Sequence, residues 1–379
     1  MVASVENKPH KAEHSIIKVF NRSMINRFIL LALLSFTSIL ISCGTDATEP
    51  KQPSFEWNKL GLDGLTVNKI EIDGNLLYAA TNDGLYRKNI QSTSSFEPVG
   101  LQDNNIEAFL IYSDQILFAS VANRDTEHEY EIHKSDNRGA SWQELESNFG
   151  GNEDGEILSE FLRHPSHKDT IYATSNYTIA KSGDMGNSWD LIWGEWGAIA
   201  GPTSAIAINP QRENELWAGG QGPIEDGYLV RLVDEEETDR WTDLVPNPTT
   251  VKEIVFDKQS SQTIFAGYEG ALMKTNDNGA SWQTSIDKHH NFRFFFGIAF
   301  SNLNPDILFA GGWLKAVDDP QSLKLFYSMD KGETWEEEIF ENEPYGGILD
   351  MQLITEGDKD RIFIALDGGG IYEVIHTLN

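Results

Sequence analysis

Seven short apolar runs divide the chain into similar lengths. Each run has an aliphatic residue, then an aromatic residue, then a small or aliphatic residue, and polar turns separate it from its neighbours. Runs of this type predict strands that are buried on both faces. The seven runs, called here the signature strands, are Leu77-Tyr78-Ala79, Leu117-Phe118-Ala119, Ile171-Tyr172-Ala173, Leu216-Trp217-Ala218, Ile264-Phe265-Ala266, Leu308-Phe309-Ala310 and Ile362-Phe363-Ile364.

The spacing of the signature strands predicts the architecture. Successive signature aromatics are 40, 54, 45, 48, 44 and 54 residues apart, close to the roughly 40–50 residues of a four-stranded propeller blade. A second aromatic follows each of the first six signatures, and we expect it to open the outer strand of its blade. These aromatics are Phe96, Trp142, Trp189, Trp241, Trp282 and Trp335. The pattern therefore predicts an all-β, seven-bladed β-propeller.

The ends of the chain predict how the ring closes. No second aromatic follows the seventh signature before Asn379, whereas Trp57 lies ahead of the first signature. We therefore expect the N-terminal strand to complete the last blade. Closure of this kind removes the open sheet edges that would otherwise pair with other chains.

A polar turn recurs between the third and fourth strands. The pattern is Ser/Thr-x-Asp-x-Gly-x-Ser/Thr-Trp, with Asn in place of Asp in one copy. Short hydroxyl and carboxylate side chains bond the backbone of a tight turn, and glycine adopts positive φ at low cost. The central acid or amide residues, which we expect to be structural, are Asn137, Asp184, Asp277 and Asp330.

These four turns resemble the Asp-box, or bacterial neuraminidase repeat, of β-propeller proteins. The family includes sialidases, tandem-propeller xyloglucanases, sortilin-type receptors and photosystem assembly factors. The resemblance covers the body of the chain and implies a propeller fold. One scaffold of this kind carries many chemistries, so the resemblance implies no particular function.

The N-terminal region resembles the leader of a bacterial lipoprotein. Residues 28–40 form an apolar run that is too short to span a bilayer and is typical of a signal-peptide core. Leu40-Ile41-Ser42-Cys43-Gly44 resembles a lipobox, which implies lipidation of Cys43, the only cysteine. We expect residues 1–42 to be a signal peptide, with Met24 as an alternative start. Gly44 beside the cysteine implies the outer membrane by the family's sorting rule.

Residues 43–54 are predicted to be a lipidated tether, and residues 55–379 a single propeller. The tether lacks an apolar period and contains two prolines. Removal of residues 1–42 leaves 24 basic and 57 acidic residues, a net charge of −33. Such a field repels nucleic acid, and we predict no nucleic-acid partner. A solvated acidic surface and an acidic partner-binding surface are both compatible with it.

Loops on one face of the ring contain the candidate binding residues. With strands a to d running from the channel outward, the d–a and b–c loops surround the channel mouth, and loops on a rigid scaffold often bind ligands. The candidates for ligand binding are Arg124, Trp193, Glu195, Trp196, Tyr268, His289, His290, Arg293, Trp313, Lys315 and Tyr345.

These candidates support two kinds of ligand. Aromatic side chains beside carboxylates and amides suit sugar rings, whereas exposed Trp and Arg also mark protein-binding sites. Trp193 and Trp196 have the alternative role of packing the channel entrance. His289 and His290 are adjacent and would point to opposite sides of a strand, so we predict no metal site, and no cofactor.

The residues do not match the catalytic pattern of sialidases. Only Arg124 and Arg293 are predicted to reach the mouth, which is too few for the three-arginine clamp that the family implies. The xyloglucanase resemblance implies a cleft between two propellers, and this chain predicts one. We therefore predict a non-catalytic, envelope-anchored propeller that binds a glycan or a protein partner. The alternative is a glycan-active enzyme, either a glycoside hydrolase or a polysaccharide lyase, for which the catalytic candidates are Glu195, Glu269, His290 and Tyr345.

Overall fold

A computed structural model describes residues 53–122, 130–151, 156–288, 293–314, 321–340 and 347–378. Within these ranges every regular element is a β-strand, and none of them contains a helix long and apolar enough to cross a membrane. The strands, in chain order, are β1 (Pro53–Gly61), β2 (Val67–Asp73), β3 (Leu76–Thr81), β4 (Gly84–Asn89), β5 (Glu97–Gly100), β6 (Asn105–Ile111), β7 (Leu117–Ala122), β8 (Tyr130–Ser135), β9 (Gln143–Glu144), β10 (Glu160–Arg163), β11 (Ile171–Ser175), β12 (Thr178–Ser182), β13 (Asp190–Gly194), β14 (Ala205–Asn209), β15 (Arg212–Gln221), β16 (Gly227–Val233), β17 (Glu236–Trp241), β18 (Val251–Phe256), β19 (Ile264–Tyr268), β20 (Ala271–Thr275), β21 (Gln283–Asp287), β22 (Arg293–Phe300), β23 (Leu308–Leu314), β24 (Leu323–Ser328), β25 (Glu336–Phe340), β26 (Ile348–Glu356), β27 (Lys359–Leu366) and β28 (Gly370–Leu378).

The strands form seven antiparallel sheets of four strands each, which confirms the predicted seven-bladed propeller. Blades 1 to 6 take consecutive groups of four strands, from β2–β5 to β22–β25. Blade 7 has the order β26-β27-β28-β1, so the N-terminal strand is its outermost member. Trp57 lies opposite Val374 in this closing pair. β1 begins at Pro53, inside the segment predicted to be a tether.

The signature strands are the second strand of each blade. All five residues of β19 are buried, as expected for a strand covered on both faces. The apolar core lies between neighbouring blades: one cluster, for example, joins Phe265 and Leu272 of blade 5 to Phe295 and Phe326 of blade 6. The polar connections consequently lie at the two faces of the ring. We call the face with the d–a and b–c loops the upper face, and the opposite one the lower face.

The outer strand of blade 4 does not start at its aromatic residue, contrary to the sequence prediction. In blades 1, 2, 3, 5 and 6 the second aromatic immediately precedes the outer strand, as predicted. In blade 4, Trp241 is the last residue of the outer strand β17. The reason is a two-residue turn, Asp234-Glu235, whose positive φ angles of 51° and 67° close the hairpin early and start β17 at Glu236. Trp241 still packs inward, with its ring stacked 5.0 Å from that of Trp217.

Candidate functional site

Trp193 is a packed residue of the upper face and not an open platform. Its side chain is 8% exposed. The indole Nε1 donates to Glu237 Oε2 at 2.6 Å, the Tyr228 ring stacks at 5.4 Å, and the Arg240 guanidinium lies 5.4 Å from the ring centre. The hydrogen bonds from Arg240 and Trp193 hold the pKa of Glu237 below its ordinary value against the effect of burial. The indole is therefore already covered by side chains of this protein.

The neighbouring candidates differ in exposure. Trp196 is half-buried, and its ring meets Phe149 edge-on at 4.9 Å. Glu195 is exposed, and its backbone oxygen accepts a hydrogen bond of 3.0 Å from Thr178 Oγ1. Of the nominated residues in this loop, Glu195 alone presents a fully accessible polar side chain.

The candidates at blades 5 and 6 are mostly covered. Tyr268 and Glu269 are buried, and burial raises the pKa of the Tyr268 hydroxyl. Arg293 is 5% exposed, and burial lowers its pKa, a shift that the charge of Glu337 opposes. Trp313 is half-buried against Phe294, with the ring centres 5.2 Å apart. These side chains fill the upper ends of the blades.

Several nominated residues lie outside the described residues. They are Cys43, Arg124, His289, His290, Lys315 and Tyr345. Among the described residues, no group of three or more His, Cys, Asp or Glu side chains is arranged to hold a metal ion.

The four turns with the Ser/Thr-x-Asp/Asn-x-Gly-x-Ser/Thr-Trp pattern, called boxed turns from here on, lie on the lower face and share one hydrogen-bond arrangement. Asp184 Oδ1 accepts from Ser188 N–H at 2.8 Å, and Oδ2 accepts from Ser188 Oγ–H at 2.6 Å. Asp277 and Asp330 make the same pair of bonds in their turns. In blade 2, Asn137 Oδ1 accepts from Ser141 N–H, while its Nδ2 donates to Ser141 Oγ. Each side chain thus holds its own turn closed.

Two exposed isoleucines on the upper face were not singled out from the sequence. Ile199, in the loop from β13 to β14, is 96% exposed, and Ile224, at the tip of the β15–β16 hairpin, is 77% exposed. The two segments touch: Gln221 N–H donates to Pro202 C=O at 3.2 Å, and a Cβ on Gly201 would lie 2.8 Å from the Cβ of Gln221. We call this region the isoleucine patch. The available signal was an isoleucine in each of two Gly- and Pro-containing loops, Gly197–Pro202 and Gly222–Asp226.

The central channel contains a group of charged residues that the sequence did not reveal either. It encloses a cavity of about 540 Å³ lined by the innermost strands of all seven blades. Lys69, Glu160, Glu253 and Asp350 come from the innermost strands of blades 1, 3, 5 and 7. Each lies opposite the residue two places after its signature aromatic, namely Ala80, Thr174, Gly267 and Ala365. Four of the seven blades, two of them the neighbouring blades 7 and 1, therefore project charge at one level, near the upper end of the channel.

Lys69 is the centre of this group. Its Nζ bonds Glu160 Oε2 at 3.0 Å, and the charges of Asp350, Glu160 and Glu253 raise its pKa well above the ordinary value despite burial. Asp350 accepts backbone N–H groups from Ile70 and Met351 at 2.7 and 2.9 Å. One lysine is thus shared among three carboxylates.

Burial changes the acidity of the channel carboxyl groups. It raises the pKa of Glu71 to about 7, although Ile111 N–H donates to Glu71 Oε2 at 2.6 Å. Burial also raises the pKa of Glu107 and Glu160, and raises that of Glu253 strongly. The channel can therefore hold and release protons near neutral pH.

Comparison with known proteins supports the fold. No family model matches the chain, and no curated protein matches it in sequence. Among solved structures, a GH74 xyloglucanase from Xanthomonas campestris superposes with a TM-score of 0.60 at 15% identity over 84% of this chain. This chain spans about half of that enzyme, 53% of its length.

Two further solved structures share the propeller. YCF48 bound to D1 peptide superposes with a TM-score of 0.59 at 13% identity, over 86% of this chain and 97% of its own. The extracellular domain of a putative one-component system from B. thetaiotaomicron gives 0.59 at 13% identity, over 84% of this chain and 39% of its own. At these identities the likeness shows the β-propeller fold alone.

Proposed function

We propose that this chain is a lipid-anchored, Asp-box propeller that binds a polypeptide partner, without catalysis, through the isoleucine patch. The observation that supports the proposal most directly is the near-complete exposure of Ile199 and Ile224 on two touching loops. Exposed apolar groups that lie together mark interaction surfaces, whereas single ones do not. Burial of two isoleucine side chains in an interface stabilises it by about 3–6 kcal/mol before the costs of association.

Charge near the patch indicates the chemistry of the partner. Glu195 and Glu225 are exposed and Asp226 is half-buried, all in the same two loops. A partner segment that combines apolar side chains with lysine or arginine would bury the isoleucines and pair with these carboxylates. Electrostatic complementarity of this kind speeds association and selects partners.

The upper-face aromatics favour a polypeptide over a glycan. A glycan-binding upper face would present open aromatic rings on which sugar rings stack, whereas Trp193 and Tyr268 are buried and Trp196 packs against Phe149. The structure of YCF48 bound to D1 peptide, by its name a peptide complex, matches this chain over 97% of its own length. The match to the xyloglucanase covers 53% of that enzyme's chain.

The anchor belongs to the same proposal. Cys43 would carry the lipid, and the propeller would be held at the outer membrane of the cell envelope by the segment that precedes β1. Two or more acyl chains give stable membrane attachment, whereas one does not. Changing Cys43 to Ser should move the protein from the membrane fraction to the soluble fraction of fractionated cells.

Site-specific crosslinking tests the patch. A photoreactive amino acid replaces Ile224 in the full chain, which is expressed in its host, irradiated and examined by mass spectrometry for a crosslinked envelope protein. Ile199→Asp in that background should lower the crosslink yield at least ten-fold. Ile339→Asp, an exposed isoleucine on the outer strand β25, is the matched control and should leave the yield unchanged. Equal yields from both variants would contradict the proposal.

A glycan-active enzyme is the second candidate, and the protonated channel carboxyl groups favour it. An acid with a pKa near 7, such as Glu71, suits general acid catalysis. Incubation with envelope polysaccharides, followed by chromatography, should release no oligosaccharide if the protein only binds. Product that disappears in Glu71→Gln or Glu195→Gln would replace the binding proposal with this one.

A further inference from the structure

The boxed turns cover the boundaries between blades. A Cβ on the box glycine Gly186 would lie 3.3 Å from Phe118, one on Gly279 would lie 2.9 Å from Trp217, and one on Gly332 would lie 2.6 Å from Phe265. Those three aromatics are the signature aromatics of blades 2, 4 and 5. These three boxes therefore pack onto the signature aromatic of the preceding blade, while the box glycine of blade 2, Gly139, packs onto Val99 of blade 1.

The boundary of blades 3 and 4 has no such cover. Blade 4 carries the short turn Asp234-Glu235 in place of a box, so nothing equivalent packs onto Tyr172, the signature aromatic of blade 3. A cavity of about 400 Å³ lies at this position on the lower face, and Tyr172, Lys181, Glu213, Leu216 and Glu235 are among its lining residues. This volume lies within the range of small-ligand pockets.

The Tyr172 hydroxyl is the feature that points to a ligand. The side chain is 6% exposed and lines the cavity, and no hydrogen-bond partner for its hydroxyl is found among the described residues. Burial, reinforced by the charge of Glu235, raises the pKa of Tyr172 to about 12. The hydroxyl consequently stays neutral and can both donate and accept.

The other walls are firmly held. His164 is buried, its Nδ1 accepts N–H groups from Ser166 and His167 at 3.2 and 3.1 Å, and its ring stacks on His167 at 4.1 Å. Lys181 of blade 3 is ion-paired with Glu235 of blade 4 across the boundary. These contacts fix the positions of His164 and Lys181 in the cavity wall.

We propose that this cavity binds one hydroxylated ring, that is, a single sugar unit, independently of the upper face. Lys181 is already neutralised by Glu235, and Glu213 and Asp234 add negative charge, so an anion would be repelled. Sugar hydroxyls donate to carboxylates and accept from Tyr172, while Ile208 and Leu216 give an apolar wall for the C–H face of the ring. A sugar ring uses both properties of the lining together.

Ligand-observed NMR on the full chain tests this proposal. Saturation-transfer spectra are recorded with glucose, galactose, xylose and N-acetylglucosamine, and at least one of these sugars should give a saturable signal. Tyr172→Phe removes the hydroxyl but keeps the ring, and should weaken that binding about 2- to 10-fold, the effect of one neutral hydrogen bond. Tyr78→Phe makes the same change at the equivalent position of blade 1 and should not alter it.

A second variant keeps the test independent of folding. Glu213 is exposed on the cavity rim, so Glu213→Ala can weaken sugar binding without disturbing the core. Ile199→Asp on the upper face should leave sugar binding intact, which separates this proposal from the one above. No saturable signal with any of the four sugars would overturn the proposal. Equal sugar affinity in Tyr172→Phe and the unaltered chain would also overturn it. So would binding of the organic cation tetramethylammonium in place of sugar.

Discussion

Carboxylates occur in two contrasting regions of this propeller, the central channel and the boxed turns. In the turns, Asp184 accepts hydrogen bonds from Ser188 and Ser182, and these hold its pKa below the ordinary value although it is close to solvent. In the channel, burial is the largest influence on Glu71 and moves its pKa upward to about 7. The charged form of a carboxyl group is therefore stabilised in the boxed turns and destabilised in the central channel.

The contrast shows which acidic residues have a purely local role. A box aspartate satisfies the backbone of its own turn, so its effect ends within a few residues. A channel carboxylate interacts with groups from other blades. Glu160, Glu253 and Asp350, for example, come from three different blades and all act on Lys69 of blade 1. Charge changes in the channel should therefore have larger effects, and pH dependence of opposite sign.

Removal of Lys69 from the channel should give the largest effect. Lys69→Met leaves three carboxylates without their shared cation, and loss of one partner from a buried ion pair typically costs about 3–5 kcal/mol. We expect the free energy of unfolding, measured by urea denaturation of the full chain at pH 7.5, to fall by that amount. The loss should shrink at pH 5, where the carboxylates can take up protons.

The matched control is Lys59→Met. Lys59 pairs with Asp63 on the exposed outer strand of blade 7, and surface pairs of this type contribute about 0–1 kcal/mol. Equal losses at the two lysines would show that the channel group is no more coupled than a surface pair.

The channel carboxyl groups predict a pH dependence of intermediate size. The pKa of Glu71 rises on folding from about 4.5 to about 7, so its protonated form is favoured in the native state. This shift stabilises the folded protein by about 3 kcal/mol below pH 4.5, and that stabilisation is lost as the pH rises to 7. The charges of Lys69, Glu160 and Asp350 also act on Glu71, so the dependence on pH belongs to the channel group and not to Glu71 alone.

Glu71→Gln tests that dependence. The amide keeps an oxygen for Ile111 N–H but cannot ionise. Urea denaturation between pH 5 and pH 8 should show a shallower loss of stability in this variant than in the unaltered chain. Glu144→Gln on the exposed outer strand β9 is the control and should reproduce the unaltered curve. A parallel curve for Glu71→Gln would rule out Glu71 as a source of the slope.

The boxed turns were predictable from the sequence because their chemistry is local. Hydroxyl, acid, glycine and tryptophan occur within eight consecutive residues, and the repeat period then orders the blades around a ring. The position of Trp241 was missed because a two-residue turn at Asp234-Glu235 replaces the box in blade 4. The missing box was visible in the sequence, but its consequence, an uncovered Tyr172, depends on how neighbouring blades pack.

The channel could not be predicted in the same way. Lys69, Glu160, Glu253 and Asp350 precede their signature aromatics by 9, 12, 12 and 13 residues, because the a–b hairpins differ in the lengths of their strands and turns. Bulges also shift the register between the first two strands of blades 1, 5 and 7. With acidic residues abundant along the whole chain, only the three-dimensional register shows which of them meet at the axis.

The smallest expected effect concerns the boxed turns and has the opposite pH sign. Asp184→Ala removes three accepted hydrogen bonds from a turn near solvent, which should cost about 1–2 kcal/mol. Asp184→Asn should cost less, because Asn137 already serves in blade 2 with one bond reversed.

The pKa of Asp184 is lowered on folding, so its contribution to stability is present above pH 3.8 and is lost as the pH falls through the pKa of the folded state. Urea denaturation at pH 7.5 and pH 3.5 should therefore show the gap between Asp184→Asn and the unaltered chain closing toward acid. The difference in stability between Glu71→Gln and the unaltered chain should also shrink toward acid pH, but at pH 7.5 Glu71→Gln should be more stable than the unaltered chain and Asp184→Asn less stable. If both variants were more stable, or both less stable, than the unaltered chain at pH 7.5, the two environments would not differ as described.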